Sequence, residues 1–310
     1  MTAIDTCTAF APATVANFGP GFDLLGLALE GAGDRVTVSL ARDTRIQVRS
    51  IVGDDGLLPL NPQANTASIA ARSVLEEIGV KSGLIIDIEK GLPIGSGLGS
   101  SAVSAVAAAL ATNSLFGSPL KTKQLIEPCL KAEAYVSGRH ADNIAPALLG
   151  GLCFVRSLEP LDIIQIHVTP RLKLAVVTPK LMVETKAARS AIPAEISTQM
   201  AVENAADLAG LLHGLRTDDF GLISRCLNDR LSTPQRQHLV PGGKQAMEAA
   251  LSVGALGAAM SGAGPSYFAL CTSAEAASQC VQVMGEAFES AQLEWLGRVS
   301  GLCTPGGKII

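Results

Sequence analysis

The stretch GLPIGSGLGSSAVSAVAAAL, residues 91–110, runs a glycine- and serine-rich loop straight into an alanine-rich segment. Before it, GLIIDIEKG at 83–91 reads as a strand; after it, Val103, Val106, Ala107 and Leu110 recur at the helical period, with Gly117 as a stop. The order is strand, loop, helix. A helix N-terminus carries unpaired N–H groups and partial positive charge, so an anion arriving there satisfies both. Gly95, Gly97 and Gly99 remove side chains that would hold a phosphate off the backbone. Ser100 suits the N-cap, and Ser101 offers a hydroxyl to phosphate or Mg²⁺. The Walker pattern fails, because Gly99 is followed by serine and the loop has no lysine; the dinucleotide pattern G-x-G-x-x-G fails on spacing. Taken alone, the loop is also explained by a glycine turn that lets a helix pack closely on a strand.

Upstream, RVTVSL at 35–40 and RIQVRS at 45–50 alternate as strands, and VGDDG marks a turn. NTASIAARSVLEEIG predicts a helix from Asn65 to a stop at Gly79. Downstream come a helix over about 121–137 and two strand-like runs, GGLCFVRS and LDIIQIHV. KLAVVTP at 173–179 opens a second unit in which helical patterns dominate (195–215, 242–254, 274–291) and strands return as SYFALC and LEWLGRVSG. The plan is α+β with two units, 1–168 and 169–310, rather than a regular βαβ alternation.

The 310 residues fit roughly two domains, and 48% hydrophobic against 17% charged residues supplies a sizeable core. A net charge of −4, no Lys/Arg run and a single Trp argue against a nucleic-acid surface, so small molecules are the expected partners. The opening MTAIDTCTAFAP has no basic region followed by an apolar run, and no segment reaches the roughly 18 apolar residues of a membrane span. A cytoplasmic protein, with no membrane or nucleic-acid partner, is expected. The seven scattered cysteines form no C-x-x-C pair, which predicts reduced core residues and no structural zinc.

Three separated motifs raise the loop above its bland reading. GLPIGSGLGSSAVSA resembles the phosphate motif of the GHMP kinases, APATVANFGPGFDLLGLAL at 11–29 the first motif of that family's homoserine-specific branch, and GAAMSGAGPSYFAL at 257–270 its third motif. EAYVSGRHADNIAPALLGG and VVTPKLMVETKAARSAIP are similar to segments of the same branch. The resemblance implies a two-domain GHMP fold: an N-terminal mixed α/β domain bearing the phosphate loop and a C-terminal ferredoxin-like α+β domain. It also implies ATP and Mg²⁺ as cofactors, and L-homoserine and MgATP as the small-molecule substrates. A homodimer is compatible with it.

Residue by residue, the resemblance implies nucleotide contacts at Asn65, Pro93, Gly95, Ser96, Gly97, Leu98, Gly99, Ser100, Ser101, Gly262 and Gly264. Ser101 and Glu133 would hold the metal. Homoserine would lie among Asn17, Asp23, His140, Thr185, Arg189 and Arg236, with arginine apt because its planar fork pairs with both carboxylate oxygens. Asn143 would position the attacking hydroxyl, and Asp142 stands as the candidate base. Singly, Asn17 and Asp23 read equally as turn residues, Asn65 as a helix cap, and Glu133 and the arginines as solvated charges. Two departures from the family pattern stand out: Val103 in place of an alanine, and one residue fewer between Gly138 and His140. A GHMP kinase acting on shikimate or mevalonate, and a non-catalytic nucleotide- or ligand-binding member, remain open readings.

Overall fold

A computed structural model describes residues 5–183, 185–302 and 305–310, with the side chains of 185 and 186 outside the description. The first sheet is built from β1 (Thr6–Ala16), β2 (Leu25–Leu40), β3 (Ile46–Val52) and, after helix α1 (Thr66–Glu77), β4 (Leu84–Glu89). Helices α2 (Ser100–Leu115), α3 (Ile126–Val136) and α4 (Ile144–Leu149) follow, then β5 (Leu152–Leu158) and β6 (Leu161–Ile166). β1 is a strand that sequence pattern misses, because Pro12 interrupts it; the register shifts between Pro12 and Thr14, where a bulge absorbs the missing donor. β2 is long enough to pair with β4 through residues 35–40 and with β5 through 25–27.

Alanine decides where α2 sits. Ala102, Ala105, Ala107, Ala108, Ala109 and Ala111 are all fully buried, so the helix is covered on every side, against β1, β2 and the helices α1, α3 and α4. Small side chains permit that close approach. The expected helix from residue 121 begins instead as a 3₁₀ turn, Thr122–Leu125, and α3 starts at Ile126, which leaves Pro128 in its first turn, where a missing N–H costs nothing.

The second sheet contains β7 (Lys173–Pro179), β8 (Gly257–Met260), β9 (Tyr267–Cys271) and β10 (Trp295–Ser300), antiparallel in the order β10-β7-β9-β8. Between β7 and β8 run α5 (Thr185–Ser190), α6 (Thr198–Thr217), α7 (Phe220–Cys226), α8 (Thr233–Arg236) and α9 (Gly243–Ser252); α10 (Ala274–Ser290) joins β9 to β10. That order is ferredoxin-like. β9 is buried on both faces: Tyr267, Ala269 and Cys271 pack with α9 and α10, while Phe268 and Leu270 point into the first core. There Phe268 stacks on Phe18 with ring centroids 5.3 Å apart. A short β11 (Lys308–Ile309) returns to pair with β1. The six described cysteines are buried and free, and no helix among the described residues is long and apolar enough to cross a membrane.

Candidate active site

The quoted loop lies where the two sheets meet, and Gly99 decides its shape. Gly99, with φ of 73°, occupies the N-cap of α2, so Ser100 is the first helical residue and not the expected cap. Only glycine takes this left-handed turn without strain, and it leaves the first amides of α2 without a side-chain partner. A Cβ on Gly99 would lie 2.2 Å from Thr14 Oγ1 and 2.7 Å from Asn143 Oδ1. On Gly97 it would meet the carbonyl oxygens of Ser261 and Gly264 at 2.6 and 2.7 Å. The loop carbonyls are engaged from outside: Ser261 Oγ donates to Gly97 O (2.7 Å), Ser266 Oγ to Ser96 O (2.5 Å) and Thr14 N to Leu98 O (3.1 Å). Backbone N–H groups therefore remain as the polar face available to an anion. The Ser96 hydroxyl is buried at the cavity wall and has no hydrogen-bond partner among the described residues.

Beside the loop opens a cavity of about 590 Å³. Under the start of α2, the buried Lys90 ammonium pairs with Asp34 and donates to Ser100 O (2.8 Å) and Ser104 Oγ (2.9 Å). Burial pulls the Lys90 pKa down, and Asp34 opposes the shift. Glu133, 6% exposed, accepts from Ser101 Oγ (3.0 Å) and Ser137 Oγ (2.5 Å). Burial raises its pKa against both hydroxyls. This set of hard oxygens fits Mg²⁺, which usually takes one or two protein ligands and leaves the rest to phosphate and water. Among the described residues, no group of three or more acidic, histidine or cysteine side chains could hold a metal.

At the other end the groups suit a charged organic molecule. Asn17 and Asp23 bound a turn, both with positive φ (67° and 57°), and Asn17 Oδ1 accepts from Asp23 N. The two residues that shape this turn also line the cavity. Asp23 accepts from Arg189 Nη1 at 2.8 Å and lies 3.5 Å from His140 Nδ1. Burial lowers the pKa of His140; Asp23 opposes this and Arg189 adds to it. Arg236 is 4% exposed and donates to Ala188 O (2.8 Å) and Gly262 O (2.8 Å), with no carboxylate at ion-pair distance among the described residues. Asp229 fixes its short helix by accepting from the N–H groups of Ser232 and Thr233. Asp142 is buried, and burial first, then Asp23 and Glu133, push its pKa up to about 7. Next to it, Asn143 is held by Thr14 Oγ1 at 2.7 Å.

Asn17, Asp23, Asn65, Gly95, Ser96, Gly97, Gly99, Ser100, Ser101, Glu133, His140, Asp142, Asn143, Arg189, Arg236, Gly262 and Gly264 all line this one cavity. The short turn in which His140 N donates to Gly138 O still brings His140, Asp142 and Asn143 to it. Asn65 is also the cap of α1, accepting from Ala67 N. Pro93 and Leu98 are not among the lining residues, and Leu98, like Leu92, is turned into the core, while Ile94 lines the cavity. The side chain of Thr185 lies outside the described residues. Lys90, Thr14 and Phe22 also line or brace the site, each through a partner far along the chain that no local pattern signals, whereas Ser137 acts through Glu133 one helical turn before it.

Residues 65–151 match the GHMP kinase N-terminal domain and 211–290 the GHMP kinase C-terminal domain. A homoserine kinase of Chlorobaculum tepidum is 40% identical over 318 residues, covering 98% of each chain. The chain belongs to the homoserine kinase branch of the GHMP kinases. The branch match extends to a homoserine kinase of Arabidopsis thaliana, 41% identical over 97% of this chain and 84% of that one. The crystal structure of homoserine kinase from Cytophaga hutchinsonii superposes with a TM-score of 0.96, at 40% identity, over 100% of this chain and 99% of the other.

Proposed function

We propose that this protein, acting in the cytoplasm, transfers the γ-phosphoryl group of ATP to the side-chain hydroxyl of L-homoserine. The product, O-phospho-L-homoserine, leads to threonine. The observation that carries the substrate is Arg236: a buried guanidinium that faces the phosphate cavity, with no carboxylate at ion-pair distance among the described residues, is a site for an anionic group. Asp23 supplies the opposite charge for an ammonium, so the cavity is complementary to a zwitterion rather than to a simple alcohol.

The loop amides and the start of α2 would hold the ATP phosphates, and Ser101 with Glu133 would hold Mg²⁺, which supplies charge neutralisation on the phosphates. Asn17, Asp23, His140, Arg189 and Arg236 would orient the amino acid. Asn143, braced by Thr14, would place the hydroxyl. Phosphoryl transfer depends mainly on such positioning and asks little of the nucleophile. The hydroxyl proton then passes either to the Asp142 carboxylate or to the transferred phosphoryl, and an Asp142 variant separates the two routes.

A coupled ADP-release assay with homoserine, shikimate and mevalonate tests the reading. Turnover with homoserine alone supports it; turnover only with shikimate or mevalonate overturns the substrate, and ATP binding without turnover overturns the activity. Arg236→Ala should raise the homoserine KM about 10- to 100-fold with the ATP KM unchanged, from the loss of charge-assisted hydrogen bonds. Equal losses for both substrates would contradict the assignment.

A further inference from the structure

Both guanidinium groups of the cavity lie over one ring. Cζ of Arg189 is 5.0 Å from the centroid of Phe22, and Cζ of Arg236 is 5.5 Å from it. Both distances fall inside the roughly 6 Å within which the negative face of an aromatic ring attracts a cation. Two like charges brought together in a partly closed cavity repel, and at Arg236 the aspartates that oppose this, Asp229 first, then Asp23 and Asp142, act from beyond ion-pair distance. Asp23 pairs with Arg189, whereas Arg236 has no carboxylate at ion-pair distance among the described residues. A second carboxylate would hold Arg236 equally well, but it would also repel an anionic substrate group. An aromatic face attracts the guanidinium while leaving its outer donors free.

We propose that Phe22 is a positioning residue whose ring holds Arg189 and Arg236 converged, so that both address a single carboxylate of the amino-acid substrate. The proposal rests on the reading that the substrate carries a carboxylate, and it adds the device that makes two arginines act as one site. Phe22 sits in the turn between Asn17 and Asp23 and lines the cavity. One short segment therefore provides both the acid for the ammonium and the ring for the carboxylate clamp.

The test compares Phe22→Leu, which keeps apolar bulk but removes the π face, with Phe22→Tyr, which keeps the face. Phe22→Leu should raise the homoserine KM about 10-fold, with kcat and the ATP KM within about twofold, and Phe22→Tyr should restore the parent KM. As competitive inhibitors, 4-hydroxybutyrate should bind Phe22→Leu more weakly than the parent, and 3-aminopropan-1-ol, which lacks the carboxylate, should bind both alike. A homoserine KM within twofold of the parent in Phe22→Leu, or equal impairment of the Leu and Tyr variants at unchanged Tm, overturns the proposal while leaving the homoserine reading intact. A parent enzyme that does not phosphorylate homoserine overturns that reading and this proposal with it.

Discussion

Replacing Asp142 with asparagine removes a buried carboxyl whose titration is coupled to folding. In the unfolded chain it ionises near 3.8; in the folded protein burial, Asp23 and Glu133 hold it at about 7. Between those values the folded state keeps a proton that the unfolded state has released, so the group favours folding at low pH. That contribution is present in full below about pH 4 and is lost as the pH rises through 7. At about 1.4 kcal/mol per pH unit, the gap between 3.8 and about 7 amounts to about 4 kcal/mol. Asparagine keeps the shape and does not ionise. In urea denaturation without nucleotide or metal, the stability of Asp142→Asn relative to the parent should climb between pH 5 and 8, by up to that amount, and then level off. A difference that stays flat across this range would refute the coupling. The same variant reports on the proton: a kcat loss of about 100-fold or more identifies Asp142 as acceptor, and near-parent turnover sends the proton to the phosphoryl group.

Glu133→Gln should abolish most Mg²⁺-dependent turnover, yet stabilise the metal-free protein at pH 8, because a buried carboxylate whose pKa burial has raised is replaced by a neutral amide. Metal titration and melting curves check the two halves separately. Gly97→Ala drives a Cβ to 2.6–2.7 Å from two backbone oxygens at a positive φ, so ATP affinity by calorimetry should fall more than about tenfold while the circular dichroism spectrum holds.

What the sequence made legible is what local patterns encode. The strand, loop and helix around Gly99 follow from periodicity and glycine spacing, and α1 begins at Asn65 as its cap chemistry requires. β1 was hidden because a proline and a run of small residues blur its alternation. α5 and α8, which present Arg189 and Arg236, are too short for any period to register, so those arginines emerged only through likeness to a family. The convergence of Lys90 on Asp34, of Ser101 on Glu133 and of two arginines on Phe22 depends on contacts between distant parts of the chain. No single window of sequence contains them.

The hydroxyls of Ser261 and Ser266, bonded to the carbonyls of Gly97 and Ser96, have a consequence in time as well as in space. Synthesis runs from the N-terminus, so the phosphate loop leaves the ribosome long before the turn that braces it. A chain stalled in its second half would hold the glycines and serines of the site without the frame that orients them. The frame of the loop is thus completed only once residues 261–266 have been made, when most of the protein already exists.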